Sequence, residues 1–261
     1  MVRLDLLIPG LSAKTDHFLF GICTLVLLRD GKRTILFDAG AYRIRGALIA
    51  ALNAHGLAPD DIDAVYMSHL HWDHVENADL FRNADIYVSR AEYDYTAAIA
   101  PSDWGTPPFA RDILAGLRLV LLDDREEELF PGMRTISLPG HSIGLQGLVA
   151  DTEHGKAVLA ADALWSARDA VRGKPDLAFY NAEQGAASLS KLLKAGTIFY
   201  PGHDRPFRLE NGRVRYLAQS AYRLRMALQP YAEDLAFAFS TEGGAAVRGG
   251  LLSAAEDIHG M

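Results

Sequence analysis

The chain has one cysteine in 261 residues, so it can form no internal disulfide. That cysteine, Cys23, lies within the apolar run Phe18–Leu28 and reads as a buried core thiol. No apolar run reaches the length of a membrane-spanning helix, so no membrane partner is expected. The first residues, Met-Val-Arg-Leu-Asp, place an acid at position 5 and lack a long apolar core. A signal peptide is therefore not expected, and the expected location is the cytoplasm. Basic residues are the minority: 26 Lys and Arg against 33 Asp and Glu give a net charge of -7. That balance argues against nucleic acid as a partner. No linker splits the chain, which predicts a single domain over residues 1–261. What remains is an ordinary globular balance, 49% hydrophobic and 23% charged.

Taken in order, the chain predicts a buried strand over 18–28, a turn at 29–32, and a second strand over 34–37 that ends at Asp38. A helix is expected over 44–55, closed by Gly56, then a strand over 64–67. Strands are expected near 85–88, 117–122, 134–138, 146–150, 158–161 and 197–200. Helices are expected over 90–99, with Ser89 as the cap, and over 182–195. The stretch 100–109 is rich in Pro and Gly and carries Trp104 and Phe109, the composition of a loop that either lines a site or packs on its own aromatics. Residues 214–239 read as an amphipathic helix, or two broken near Pro230, within a C-terminal helical extension at about 214–261. The Gly/Ala-rich tail after Gly243 reads either as loosely ordered or as a subunit contact, as in a homodimer.

Chemistry concentrates at Ser68-His69-Leu70-His71-Trp72-Asp73-His74. Imidazole and carboxylate are the donors that zinc and similar ions accept. In an extended segment residues 69 and 71 share a face, so both histidines can grip one ion. Asp73 and His74 lie past the bend and can reach a second. The segment Pro139-Gly140-His141 recurs as Pro201-Gly202-His203, each after a predicted strand. A further echo pairs Gly31-Lys32…Asp38-Ala39 with Gly155-Lys156…Asp162-Ala163, each a turn, an apolar strand and an aspartate. This fits a two-halved sandwich in which both strands end at one edge.

Together Asp38, the His69–His74 motif, His141, Asp162 and His203 resemble the metallo-β-lactamase superfamily of hydrolases, over roughly residues 18 to 207. The resemblance implies an α+β fold, a four-layer αββα sandwich with metals at one edge between the sheets. By position, His69, His71 and His141 resemble the ligands of one metal. Asp73, His74 and His203 resemble those of a second, and Asp162 the carboxylate bridging both. Asp38 resembles the acid that orients a ligand imidazole. The implied cofactor is a pair of divalent ions, with Zn2+ favoured and Fe, Mn or Co compatible. The implied reaction is attack on a carbonyl by a metal-bridging hydroxide, with Asp73 as the catalytic carboxylate.

Acyl-homoserine lactonases of this superfamily carry a tyrosine three residues after the bridging aspartate. Here that position is Trp165, which has no hydroxyl. Glyoxalase II-like thioesterases resemble the chain around Asp162-Ala163-Leu164-Trp165, but the basic cluster expected to hold glutathione is missing. Trp72, Trp104, Phe109 and Trp165 suggest an apolar pocket. The expected substrate is a small ester or lactone with an apolar body. The alternatives are a thioesterase, a phosphoester hydrolase and a non-enzymatic metal-dependent binding module.

Overall fold

The structure, a computed structural model, describes residues 1–226 and 235–240. The chain divides into two compact units, Met1–Arg215 and Tyr216–Met261.

In the first unit, one sheet runs in chain order through β1 (Arg3–Ile8), β2 (Leu25–Arg29), β3 (Thr34–Phe37), β4 (Ala64–Tyr66), β5 (Asp85–Ser89) and β6 (Arg118–Leu122). The pairs β1–β2 and β2–β3 are antiparallel, and the pairs from β3 to β6 are parallel. The second sheet runs through β7 (Glu128–Phe130), β8 (Met133–Ser137), β9 (Gln146–Thr152), β10 (Gly155–Ala161), β11 (Ile198–Pro201), β12 (Phe207–Glu210) and β13 (Arg213–Tyr216). Here β10 and β11 are parallel. A parallel pair needs a crossover, and each crossover carries helix. They are α1 (Arg45–Ala54), α2 (Trp72–Val75), α3 (Arg90–Tyr95) with α4 (Ala110–Leu114), and α5 (Ala167–Arg172) with α6 (Ala182–Ala195).

Alternation along the strands builds the layers. Leu25-Val26-Leu27-Leu28 is apolar throughout because both faces of β2 are covered. Val26 and Leu28 join Phe37, Tyr66, Leu148 and Leu159 in a core between the sheets. Leu25 and Leu27 face the other way, against Leu48 and Leu52 of α1. Leu48 and Leu52 are one helical turn apart and fully buried. Each such burial is worth about 1.5–3 kcal/mol. On the far side, Val158 and Ala160 of β10 pack with Leu189 and Leu192 of α6. Asn181 caps α6 by accepting from Gln184 N at 2.9 Å. The result is the expected αββα sandwich.

Three expectations are corrected. The strand of 18–28 begins only at Leu25. Residues 11–22 form an irregular excursion with isolated bridges Leu11–Ile22 and Lys14–Leu19, and Phe18 and Leu19 are exposed. Strand β1 adds to the expected elements, and in it Leu4 and Leu6 alternate with Arg3 and Asp5. The expected C-terminal helix over 214–239 is replaced, among the described residues, by strand. Besides β13, strands β14 (Ala221–Met226) and β15 (Leu235–Ser240) form an antiparallel hairpin with Tyr222 opposite Phe239. The sequences Ala-Tyr-Arg-Leu-Arg-Met and Leu-Ala-Phe-Ala-Phe-Ser repeat every second residue, a strand period. Pro230 and the tail after Gly243 lie outside the described residues.

Candidate metal centre

Five strand ends meet at one edge of the sandwich. Strand β3 delivers Asp38, β4 the 68–74 segment, β8 the turn at 139–142, β10 Asp162, and β11 the turn at 202–203. His69, His71, Asp73, His74, His141, Asp162 and His203 are all buried. The ligand atoms of His69, His71 and His141 lie within 4.8 Å of one another. The same holds for Asp73, His74 and His203, and for His69, His74 and Asp162. The two Pro-Gly-His turns and the echoed aspartates thus converge on the central motif.

The histidines are oriented from behind. Asp38 adopts a left-handed backbone, φ 60°, in which its carboxylate turns back on the 68–74 segment. Its Oδ1 accepts from Ser68 N at 2.8 Å, and its Oδ2 accepts from Ser68 Oγ at 2.9 Å and from His74 Nδ1 at 2.8 Å. Ser68 therefore spends its only hydroxyl proton on Asp38, and its oxygen accepts from His69 Nδ1 at 2.9 Å. Both imidazoles are held with Nδ1 protonated and the Nε2 lone pair facing the centre. Ser68 carried no sequence signal, because a serine before a histidine is unremarkable until Asp38 is seen behind it.

The front of the site is short of hydrogen bonds. His69 Nε2, His74 Nε2, Asp162 Oδ1 and His203 Nε2 are buried and make no hydrogen bond. Such orphans are rare and costly in a folded protein. His141 Nε2 faces His71 Nδ1 at 3.0 Å, and His203 Nε2 lies 3.2 Å from Asp73 Oδ2 and 3.4 Å from Asp162 Oδ2. Burial, reinforced by the imidazole of His141, pushes His71 down to about 3. Burial would lower His203 too, but the Asp162 and Asp73 carboxylates outweigh it and raise it to about 9. Burial likewise opposes ionisation of Asp162, yet His203, His74 and His141 hold it well below the carboxylate range. Clustered carboxylates and inward lone pairs call for positive charge at this point, and the all-nitrogen and oxygen donor set fits divalent metal ions.

The mouth is aromatic. Trp165 stacks on His203 with centroids 3.8 Å apart at 20°, and its Nε1 donates to Ser12 Oγ at 3.0 Å. Phe179, which the sequence reading missed, lies edge-on to His141 at 5.1 Å and to His71 at 5.9 Å. Trp104 meets Phe179 at 5.0 Å and is 57% exposed. The loop bearing Trp104 lines the site, because a Cβ on Gly105 would lie 2.9 Å from the His71 ring. Trp72 and Phe109 make no ring contact with Phe179, Trp104 or Trp165 among the described residues. Trp72 packs under the Arg43 guanidinium at 4.6 Å. Phe109 is exposed at the start of α4 and makes no ring contact among the described residues.

Residues 19–203 match the family model described as the metallo-beta-lactamase superfamily. The chain is 31% identical over 205 residues to metallo-beta-lactamase domain-containing protein 1 of Xenopus laevis, covering 78% of this chain and 80% of that one. It is 28% identical over 162 residues to the N-acyl homoserine lactonase of Bacillus cereus, covering 60% of this chain and 62% of that one, so it spans under two thirds of the lactonase. It also resembles the solved structure of AidC, a dizinc quorum-quenching lactonase in complex with a product. The TM-score is 0.61 at 21% identity, over 78% of this chain and 81% of that one. At that identity the likeness shows the fold alone.

Proposed function

The chain belongs to the metallo-beta-lactamase superfamily, and on that premise we propose that it is a dinuclear, metal-dependent hydrolase of a small ester or lactone with an apolar body. One observation carries the reading: seven buried nitrogen and oxygen side chains converge at one sheet edge, and four of their atoms make no hydrogen bond. His69, His71 and His141 would hold one ion, Asp73, His74 and His203 the other, with Asp162 between them. The fold implies divalent ions, typically zinc. Bound there, they would polarise a carbonyl and acidify water.

The chain's own residues do the rest. Asp38 and Ser68 keep the Nε2 lone pairs of His74 and His69 aimed inward. The ionised Asp73 carboxylate accepts the proton released in the attack and returns it to the leaving oxygen. Phe179, Trp104 and Trp165 seat the apolar body and keep bulk water from the reacting carbonyl. The lactonase named among the relatives supports a carbonyl substrate. The Trp165 indole N–H is already committed to Ser12, so Trp165 acts as a pocket wall.

The test is hydrolysis of lactones, aryl esters and thioesters by metal-loaded protein beside a chelated control. Chelator-sensitive turnover of lactones or esters is expected. A preference for thioesters would move the protein to the thioesterase class, and metal-loaded protein inert to all three would overturn the reading.

A further inference from the structure

Glu92 is a buried carboxylate outside the ligand set, 1% exposed, in the first turn of α3. No lysine or arginine pairs with it among the described residues. Its Oε2 accepts from Leu70 N at 3.1 Å and its Oε1 from Gly144 N at 2.6 Å. Each carboxylate oxygen thus serves one backbone N–H donor. Burial pushes this carboxyl above its ordinary range, and the two N–H donors oppose that shift.

The two donors identify its role. Leu70 lies between His69 and His71, and Gly144 lies three residues beyond His141. These segments follow different strands in different sheets, β4 and β8. Gly144 crosses α3 so closely that a Cβ there would lie 2.5 Å from Ser89 Oγ and 3.0 Å from Glu92 N. The other ligands are held by other groups. Asp38 orients His74, and Thr24 Oγ1 reaches the carbonyls of Gly202 and Asp204, each at 3.1 Å, on either side of His203.

The geometry points to Glu92 as a positioning residue that ties the His69/His71 segment to the His141 turn and so sets the affinity of the one metal position those three histidines form. This rests on the metal-binding part of the function proposed above. Glu92→Gln is the informative change. Its single acceptor oxygen can serve only one donor, and its amide NH2 must meet the other N–H.

The experiment is metal titration of the apoprotein against a chromophoric zinc chelator, for wild type, E92Q and E92D, each alone and with His71→Ala. Circular dichroism of the chelated proteins controls for folding. Wild type should take two equivalents. E92Q should weaken one by about tenfold or more, the scale for groups supporting metal ligands, and leave the other within twofold. E92D keeps the charge and should weaken the same equivalent by less, which provides a second reading if E92Q does not fold. With His71→Ala, adding E92Q should not change the remaining equivalent. Equal weakening of both equivalents, or no change in either, would overturn the assignment of Glu92 alone. Wild type that binds no metal would overturn the proposed function and this inference together. Binding of two ions without turnover would count against hydrolysis and leave the role of Glu92 readable.

Discussion

Asp38→Asn changes one atom of the site and tests how the histidines are oriented. The carboxylate accepts three hydrogen bonds: from Ser68 N at Oδ1, and from Ser68 Oγ and His74 Nδ1 at Oδ2. An asparagine offers one acceptor oxygen and one NH2. With its oxygen at the Oδ2 position, the NH2 faces the Ser68 N–H and leaves a buried donor unpaired, at about 1–3 kcal/mol. With its oxygen at the Oδ1 position, the NH2 faces His74 Nδ1, which must then give up its proton. The proton moves to Nε2, the atom that points to the metal. In the second orientation His74 loses its lone pair toward the metal, and in the first it trades an anionic acceptor for a weaker neutral one, so either way it is a poorer ligand. The expected loss of metal affinity is about 10–100-fold, or about 1.4–2.8 kcal/mol at 1.4 kcal/mol per decade. Chelator competition measures the affinity, and urea unfolding of the chelated protein measures the structural cost separately. An Asp38→Asn protein with wild-type affinity for both ions would refute the reasoning, because no orientation of the amide satisfies all three donors.

Four further outcomes are expected. Asp162→Ala removes the only carboxylate among the described residues within 3.4 Å of three imidazoles, those of His74, His141 and His203, and should lose metal and activity together; full turnover with both ions retained would sink its assignment. Gly202→Ala places a Cβ 1.9 Å from Asp162 Oδ1 and should cost about 1–3 kcal/mol in unfolding assays as well as metal affinity. Trp165→Ala removes the stack on His203 and should raise KM for apolar substrates about tenfold with a smaller effect on polar ones; an equal effect on both would remove it from the pocket. Asp169 is shifted by burial from 3.8 to about 6, so the folded state holds its proton more tightly than the unfolded one. Its contribution to stability is therefore complete below about pH 4 and is lost as pH rises through 6. The difference in unfolding free energy between wild type and Asp169→Asn should shrink over that range, and a constant difference would contradict the shift.

The central motif was legible because its chemistry is local. His69 and His71 share a face over three residues of extended chain, and no fold is needed to see that they can grip an ion. Asp38, His141, Asp162 and His203 were legible for a related reason. Each sits where an apolar strand stops, and the end of a strand is where a buried sheet hands a side chain to a site. The layers were readable too, since Leu25–Leu28 is too uniformly apolar for a sheet with one wet face. The C-terminal stretch failed on its period. Tyr222, Leu224 and Phe237, Phe239 recur every second residue, the period of a strand and not of the amphipathic helix expected over 214–239.

Sequence alone determined that His69 and His71 can share an ion, because spacing along an extended segment restricts which atoms can meet, while the division of the other donors into two groups came from the family resemblance. Tertiary structure alone decided what stands behind and in front of those donors. Ser68 relays Asp38 to His69 only because β3 and β4 are parallel neighbours. Glu92 reaches two segments from different sheets, and Phe179 comes to the mouth from the chain between α5 and α6. Trp72, next to His71 in the chain, packs under Arg43. These contacts join residues far apart in the chain, and a contact of that kind has no period or spacing by which it could be read.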